Sequence, residues 1–94
     1  MFSINPAYEI IAKRMAGEIV LSDDPGLTMR KWRSLFNVTQ SEIAEILELS
    51  PSVISDYETG RRKSPGSNFI KRYVESLVER LSLAMKAVEQ EFVK

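Results

Sequence analysis

The sequence predicts an all-α fold, a compact helical bundle with an extended C-terminal helix. Three observations predict it. Apolar residues recur at three- and four-residue steps along most of the chain. Proline or a capping residue stands where each such run begins, and Asn, Gly or a proline dipeptide stands where several of them end. No segment reads as a strand.

The elements follow in order. Asn5-Pro6 reads as a cap with proline at the first helical position, and Ile11, Ala12, Met15 and Ile19 carry that helix to about Leu21. Ser22-Asp23-Asp24-Pro25-Gly26 is a turn cluster, after which Met29, Trp32, Arg33 and Phe36 resume helical spacing. Trp32 sits on the apolar side of that helix and is expected in the core rather than as a stacking platform. Asn37 tolerates the left-handed region and ends the helix. Thr39-Gln40-Ser41-Glu42 fits a capping box, and Ile43, Ala44, Ile46 and Leu47 supply the buried face of a short helix. That helix must stop by Ser50-Pro51, because a residue before proline is pushed out of the helical region. Ser50 is expected to cap the next helix and Pro51 to open it, with Val53, Ile54 and Tyr57 inward and Gly60 at the close. The loop from Arg61 to Gly66 leads to a last helix reaching about Phe92, roughly 40 Å at 1.5 Å per residue. Organisation follows: 1–24 as N-terminal helix and turn, 25–66 as the central unit, 67–94 as a C-terminal helix suited to dimerisation.

Composition narrows the chemistry. The 94 residues are 44% hydrophobic and 28% charged, which suits one soluble domain. Cysteine and histidine are both absent, which removes disulfides, Cys/His zinc sites, thiol nucleophiles and imidazole acid–base devices. No glycine-rich phosphate loop and no convergent carboxylate pair is visible, so no catalytic residue, cofactor or metal is expected and the chain does not read as an enzyme. No apolar run approaches a membrane span, and Met1 to Ala7 is unlike a signal peptide, so a cytoplasmic protein is expected. Formal net charge is zero, but it is unevenly spread. Pro25 to Ser41 holds no acid and includes Arg30, Lys31 and Arg33; Thr59 to Val74 holds none and includes Arg61, Arg62, Lys63, Lys71 and Arg72. Glu42, Glu45, Glu48, Asp56 and Glu58 lie between. A polyanion meets two basic flanks around an acidic centre, and screening over about 8 Å makes local charge decisive.

Two short helices joined through Glu48 to Ser50 make a helix-turn-helix, a geometry that can set its second helix in a DNA major groove. The outer face of that helix is Ser52, Ser55, Asp56 and Thr59. Small hydroxyls permit close approach, and a carboxylate can accept from a cytosine amino group. The set Val38-Thr39-Gln40, Ile43-Ala44, Leu49-Ser50, Ile54-Ser55, Glu58-Thr59-Gly60 and Pro65 resembles the Cro/phage-repressor (xenobiotic-response-element) helix-turn-helix family of transcriptional regulators. Pro51 through Glu58 and Arg61-Arg62-Lys63-Ser64-Pro65-Gly66 look nearest to archaeal members. The resemblance covers about Met29 to Leu77. It implies sequence-specific binding of double-stranded DNA, with Gln40 at a phosphate or adjacent base, and Pro51, Ser52, Ser55 and Asp56 in the recognition helix. It also implies backbone contacts from Arg61, Arg62 and Lys63, and a structural salt bridge between Arg33 and Glu58. One position departs from the pattern: Glu48 stands where the family holds glycine, and positive φ there costs about 1 kcal/mol or more.

Along the last helix, Ile70, Val74, Leu77, Leu81, Ala84 and Val88 form a seam that can dock on the first helix or pair with a second copy. One reading helix spans only a half-site, so a homodimer through this helix, helped by Tyr8 to Leu21, is expected, and Leu77→Asp or Leu81→Asp is expected to give a monomer or an unfolded chain. The alternative is a protein-interaction module, such as an antitoxin or adaptor, gripping a partner with the long helix.

Overall fold

A computed structural model describes residues 6–63 and 65–93; the expected cap Asn5 and loop residue Ser64 lie outside the described residues. Five helices succeed one another among them: α1 (Pro6–Leu21), α2 (Pro25–Leu35), α3 (Gln40–Leu47), α4 (Pro51–Thr59) and α5 (Ser67–Val93). The fold is all-α, as predicted. None of these helices is long and apolar enough to cross a membrane.

Local signals fix most boundaries. The turn cluster after α1 is also the start of α2, four residues before Met29: Asp24 accepts from the Leu27 N–H at 3.1 Å, and Pro25 takes the first helical position. Gly26 is consequently a buried helical residue, not a turn residue. A Cβ at this position would lie 2.2 Å from the Tyr57 carbonyl oxygen, so only glycine lets the start of α2 lie against the end of α4. Asn37 takes φ 58° and closes α2. At α3 both halves of the capping box form: Thr39 Oγ1 accepts from the Glu42 N–H and Glu42 Oε1 accepts from the Thr39 N–H, each at 3.0 Å.

The turn between α3 and α4 is made without glycine. Glu48 adopts φ 58° and ψ 41°, and the Leu49 N–H reaches back to the Ala44 carbonyl at 2.9 Å. Ser50 departs from expectation. It occupies the N-cap position of α4, but its side chain caps no backbone donor, and its Oγ lies 3.0 Å from Ser52 Oγ. Proline at the next position lowers the need for a cap by removing one of the open donors. Gly60 ends α4 at φ 80°.

The core is shared by all five helices, with Met15, Ile19, Met29, Ile43, Ile54, Tyr73, Leu77 and Val78 excluded from solvent. α5 packs on α1 and α3, while α2 bridges α1 and α4. Trp32 packs against this core from its edge, half-buried, with its indole N–H donating to Glu18 Oε2 of α1 at 2.8 Å. Ile46 does not join Ile43, Ala44 and Leu47 inside; it lies on the solvent side of α3, 40% exposed. The predicted seam on α5 divides in two. Ile70, Val74 and Leu77 are buried by the chain's own helices, Leu81 is partly covered, and Ala84 and Val88 are exposed. The same stripe therefore changes from core to surface after Val78.

Candidate nucleic-acid interface

The foundation of the site is a buried polar cluster. Arg33 Nε donates to Glu58 Oε2 at 2.7 Å, its Nη2 to Glu58 Oε1 at 2.9 Å, and its Nη1 to the Val38 carbonyl at 2.8 Å. Gln40 Nε2 donates to Glu58 Oε1 at 3.0 Å, and the Tyr73 hydroxyl lies 3.0 Å from Glu58 Oε2 and 3.1 Å from the Met29 carbonyl. α2, α3, α4 and α5 each contribute one of these side chains, so the cluster sets the position of α4 on the other three. Among the described residues no buried side-chain nitrogen or oxygen lacks a partner. Burial alone would raise the Glu58 carboxyl, but hydrogen bonds from Arg33, Gln40 and Tyr73 and the guanidinium charge hold it below the usual range. The Glu58 hydrogen bond raises Arg33 against the opposing effect of burial. Burial, then the neighbouring Glu58 carboxylate, pushes the Tyr73 phenol far above its ordinary value.

This cluster changes the charge pattern read from sequence. Arg33 is neutralised inside, so it adds nothing to the first basic window, which is left with exposed Arg30 and Lys31. Arg72 of the second window donates to the Leu47 carbonyl at the end of α3, at 3.0 Å. Arg80 pairs with Glu42 at the opposite end of α3, and the Glu42 carboxyl is lowered chiefly by its hydrogen bonds with Thr39. α5 thus clasps α3 at both ends.

On the opposite side of α4 from Ile54, the residues Ser52, Ser55, Asp56 and Thr59 fall at positions i, i+3, i+4 and i+7 and make one face. Pro51, Ser52 and Thr59 are exposed, while Ser55 and Asp56 are partly exposed. Thr59 Oγ1 donates back to the Ser55 carbonyl at 2.8 Å, so its hydroxyl has only lone pairs left to offer a ligand. Arg61, Arg62 and Lys63 follow, all exposed. Gln40 stands apart from this face. Its amide turns inward to Glu58, and it lines a depression of about 520 Å³ with Arg30, Ser34, Asn37, Thr39 and Ser41. Sequence reading missed Ser34 and Asn37 as lining residues and Tyr73 as a partner of Glu58. Tyr73 is 15 residues from Glu58 on another helix, and no periodicity carries such a pairing. Among the described residues no group of acidic side chains gathers to hold a metal ion.

Residues 29–77 match a family model described as helix-turn-helix. An uncharacterised HTH-type transcriptional regulator of Methanocaldococcus jannaschii is 55% identical over 78 residues, which are 83% of this chain and 32% of that protein. An uncharacterised HTH-type transcriptional regulator of Archaeoglobus fulgidus is 54% identical over 72 residues, 77% of this chain and 31% of that protein. The chain therefore spans about a third of the length of the curated relatives it matches. No solved structure matches.

Proposed function

The chain belongs to the Cro/phage-repressor helix-turn-helix family, and from that premise we propose that it is a sequence-specific DNA-binding transcriptional regulator, acting in the cytoplasm as a homodimer. One observation carries the reading. α4 offers a continuous face of small polar side chains, Ser52, Ser55, Asp56 and Thr59, leading directly into Arg61-Arg62-Lys63, while its other face is locked into the core through Ile54 and Glu58. A rigidly held helix with a low-relief polar face is what close approach to base edges requires. The exposed cations beside it suit phosphates, which position a protein without reading sequence. Gln40 at the start of α3 and Arg30 of α2 line one depression, where a phosphate would favour the same docking. Residues 25–66 are the reading unit, 67–94 the pairing element, and 1–24 its support.

Selection of bound duplexes from a random pool tests the proposal. The expected result is one enriched half-site whose affinity falls steeply with salt. Absence of any enriched sequence overturns it.

The homodimer rests on the part of the α5 stripe beyond Val78, where Leu81 is partly exposed and Ala84, Met85 and Val88 are exposed, at helical spacing. Leu77 belongs to the chain's own core and reports on folding, not assembly. The informative change is Val88→Asp, which should leave a folded monomer by light scattering while the wild type protects two half-sites about 34–36 Å apart. A wild type that stays monomeric on its selected duplex would remove the dimer.

A second reading, a protein-interaction module such as an antitoxin or adaptor, is favoured by a groove between α1 and α5 with Ala12, Ala16, Val20, Ile70 and Val74 in its lining. Tight protein binding with negligible DNA affinity would distinguish it.

A further inference from the structure

Asp56 does not stand free on the face of α4. Its carbonyl accepts from the Arg62 N–H at 3.2 Å, and its Oδ2 lies 3.7 Å from Arg62 Nε. The Arg62 guanidinium also lies over the Tyr57 ring, 5.7 Å from its centroid. That ring is itself fixed: it stacks on Phe69 with centroids 4.3 Å apart, and Phe69 meets Tyr73 at 6.1 Å. Tyr73 in turn touches Glu58 in the buried cluster. An aromatic column thus runs from the four-helix cluster to the surface and ends beneath one arginine of the loop.

Three restraints converge on Arg62: a backbone hydrogen bond, a carboxylate and a ring face. A partly exposed ion pair of this length contributes little alone, since two flexible side chains must be held in one geometry. Here the loop backbone and the ring have already removed much of that freedom, so the carboxylate selects among few remaining orientations. Arg62 Nε faces Asp56, which leaves the two terminal nitrogens to donate outward. A carboxylate that faced DNA without a partner would repel its phosphates.

Building on the reading of α4 and its loop as a DNA-binding surface, we propose that Asp56 is a positioning residue, which with the Tyr57 ring aims the Arg62 guanidinium at a DNA phosphate. It does not itself read a base. The consequence is a reversal of sign. Removing an acid beside a polyanion ordinarily strengthens binding. Here Asp56→Asn weakens it while Arg62 is present, and strengthens it once Arg62 has been removed.

The test is a double-mutant cycle on the duplex that the wild type enriches from a random pool, with Asp56→Asn, Arg62→Ala and the double variant compared across a salt series. Asp56→Asn and Arg62→Ala should each lose several-fold in affinity and flatten the log–log salt slope by about 0.9, the release expected from one phosphate. The double variant should bind more tightly than Arg62→Ala alone. Tyr57→Phe, which keeps the ring, should retain wild-type binding, whereas Tyr57→Leu should resemble Asp56→Asn. A readout without DNA accompanies the cycle: the Arg62 Nε–H should be ordered by nitrogen relaxation in the wild type and mobile in Asp56→Asn. Tighter binding by Asp56→Asn with Arg62 present overturns the proposal, as does a changed base preference that Arg62→Ala does not share. A wild type that enriches no duplex removes the DNA-binding reading itself and this proposal with it, an outcome distinct from DNA binding without the sign reversal.

Discussion

The two sides of α4 differ in how completely their hydrogen-bonding capacity is used. On the inner side, Glu58 receives side chains from three other helices and Ile54 is fully buried. On the outer side, Ser52 Oγ lies 3.0 Å from Ser50 Oγ, and Thr59 bonds back to its own helix. The nine residues of α4 therefore carry stability on one face and open donors and acceptors on the other. The difference teaches that position and readout are separable on this helix: what fixes α4 is not what α4 offers.

The largest test of that separation is at Glu58. Glu58→Ala strands the Arg33 guanidinium in the interior and should cost about 3–5 kcal/mol by denaturant unfolding; a loss under about 1 kcal/mol would mean that apolar packing alone fixes α4. Gly26→Ala comes next. The methyl would meet backbone atoms of Tyr57 and Glu58, which cannot move like a side-chain tip, so about 1–3 kcal/mol is expected by thermal unfolding. An unchanged midpoint would show that α2 can slide on α4 freely.

Acid probes the same face without removing the side chain. Its carboxyl is held below its reference value of 4.5 in the folded chain, so its contribution is present above pH 4.5 and declines as pH falls toward the folded value. Glu58→Gln should be less stable near neutrality and lose less on acidification; parallel acid titrations of the two proteins would contradict that. The smallest effect on stability is expected outside. Ser52→Ala and Ser55→Ala should stay within about 0.5 kcal/mol of wild type. Their effect belongs to binding, as a change of roughly 1–3 kcal/mol at particular base pairs in a selection experiment. Outer-face substitutions that unfold the chain would erase the distinction between the two faces.

What was legible in the sequence follows the range of the forces involved. The Thr39–Glu42 box, the left-handed Asn37 and the Gly60 stop are local, each set within a few residues, and each formed as read. The Arg33–Glu58 pair, 25 residues apart, was accessible only through family resemblance. Tyr73 beneath Glu58, Arg72 on the end of α3 and Arg80 on Glu42 carry no spacing signal, because their partners are chosen by the packing of α5. Periodicity also misled in two places. It set Ile46 inward with its neighbours, and it ran one seam along α5 without marking where the covering helices stop. At the reading face the residues were legible as a stripe, but the Asp56–Arg62 contact depends on how the loop after Gly60 turns back.

The indole of Trp32 gives the chain a built-in optical reporter. It is the sole tryptophan, it sits half-buried at the seam of α1 and α2, and its N–H is bonded to a carboxylate on α1. Undocking of α1 would return that indole to water and break its bond to Glu18, shifting the emission maximum to the red without any added label. Fluorescence excited at the tryptophan band therefore follows the attachment of the first helix, and leaves the reading face, which holds no tryptophan, spectroscopically silent.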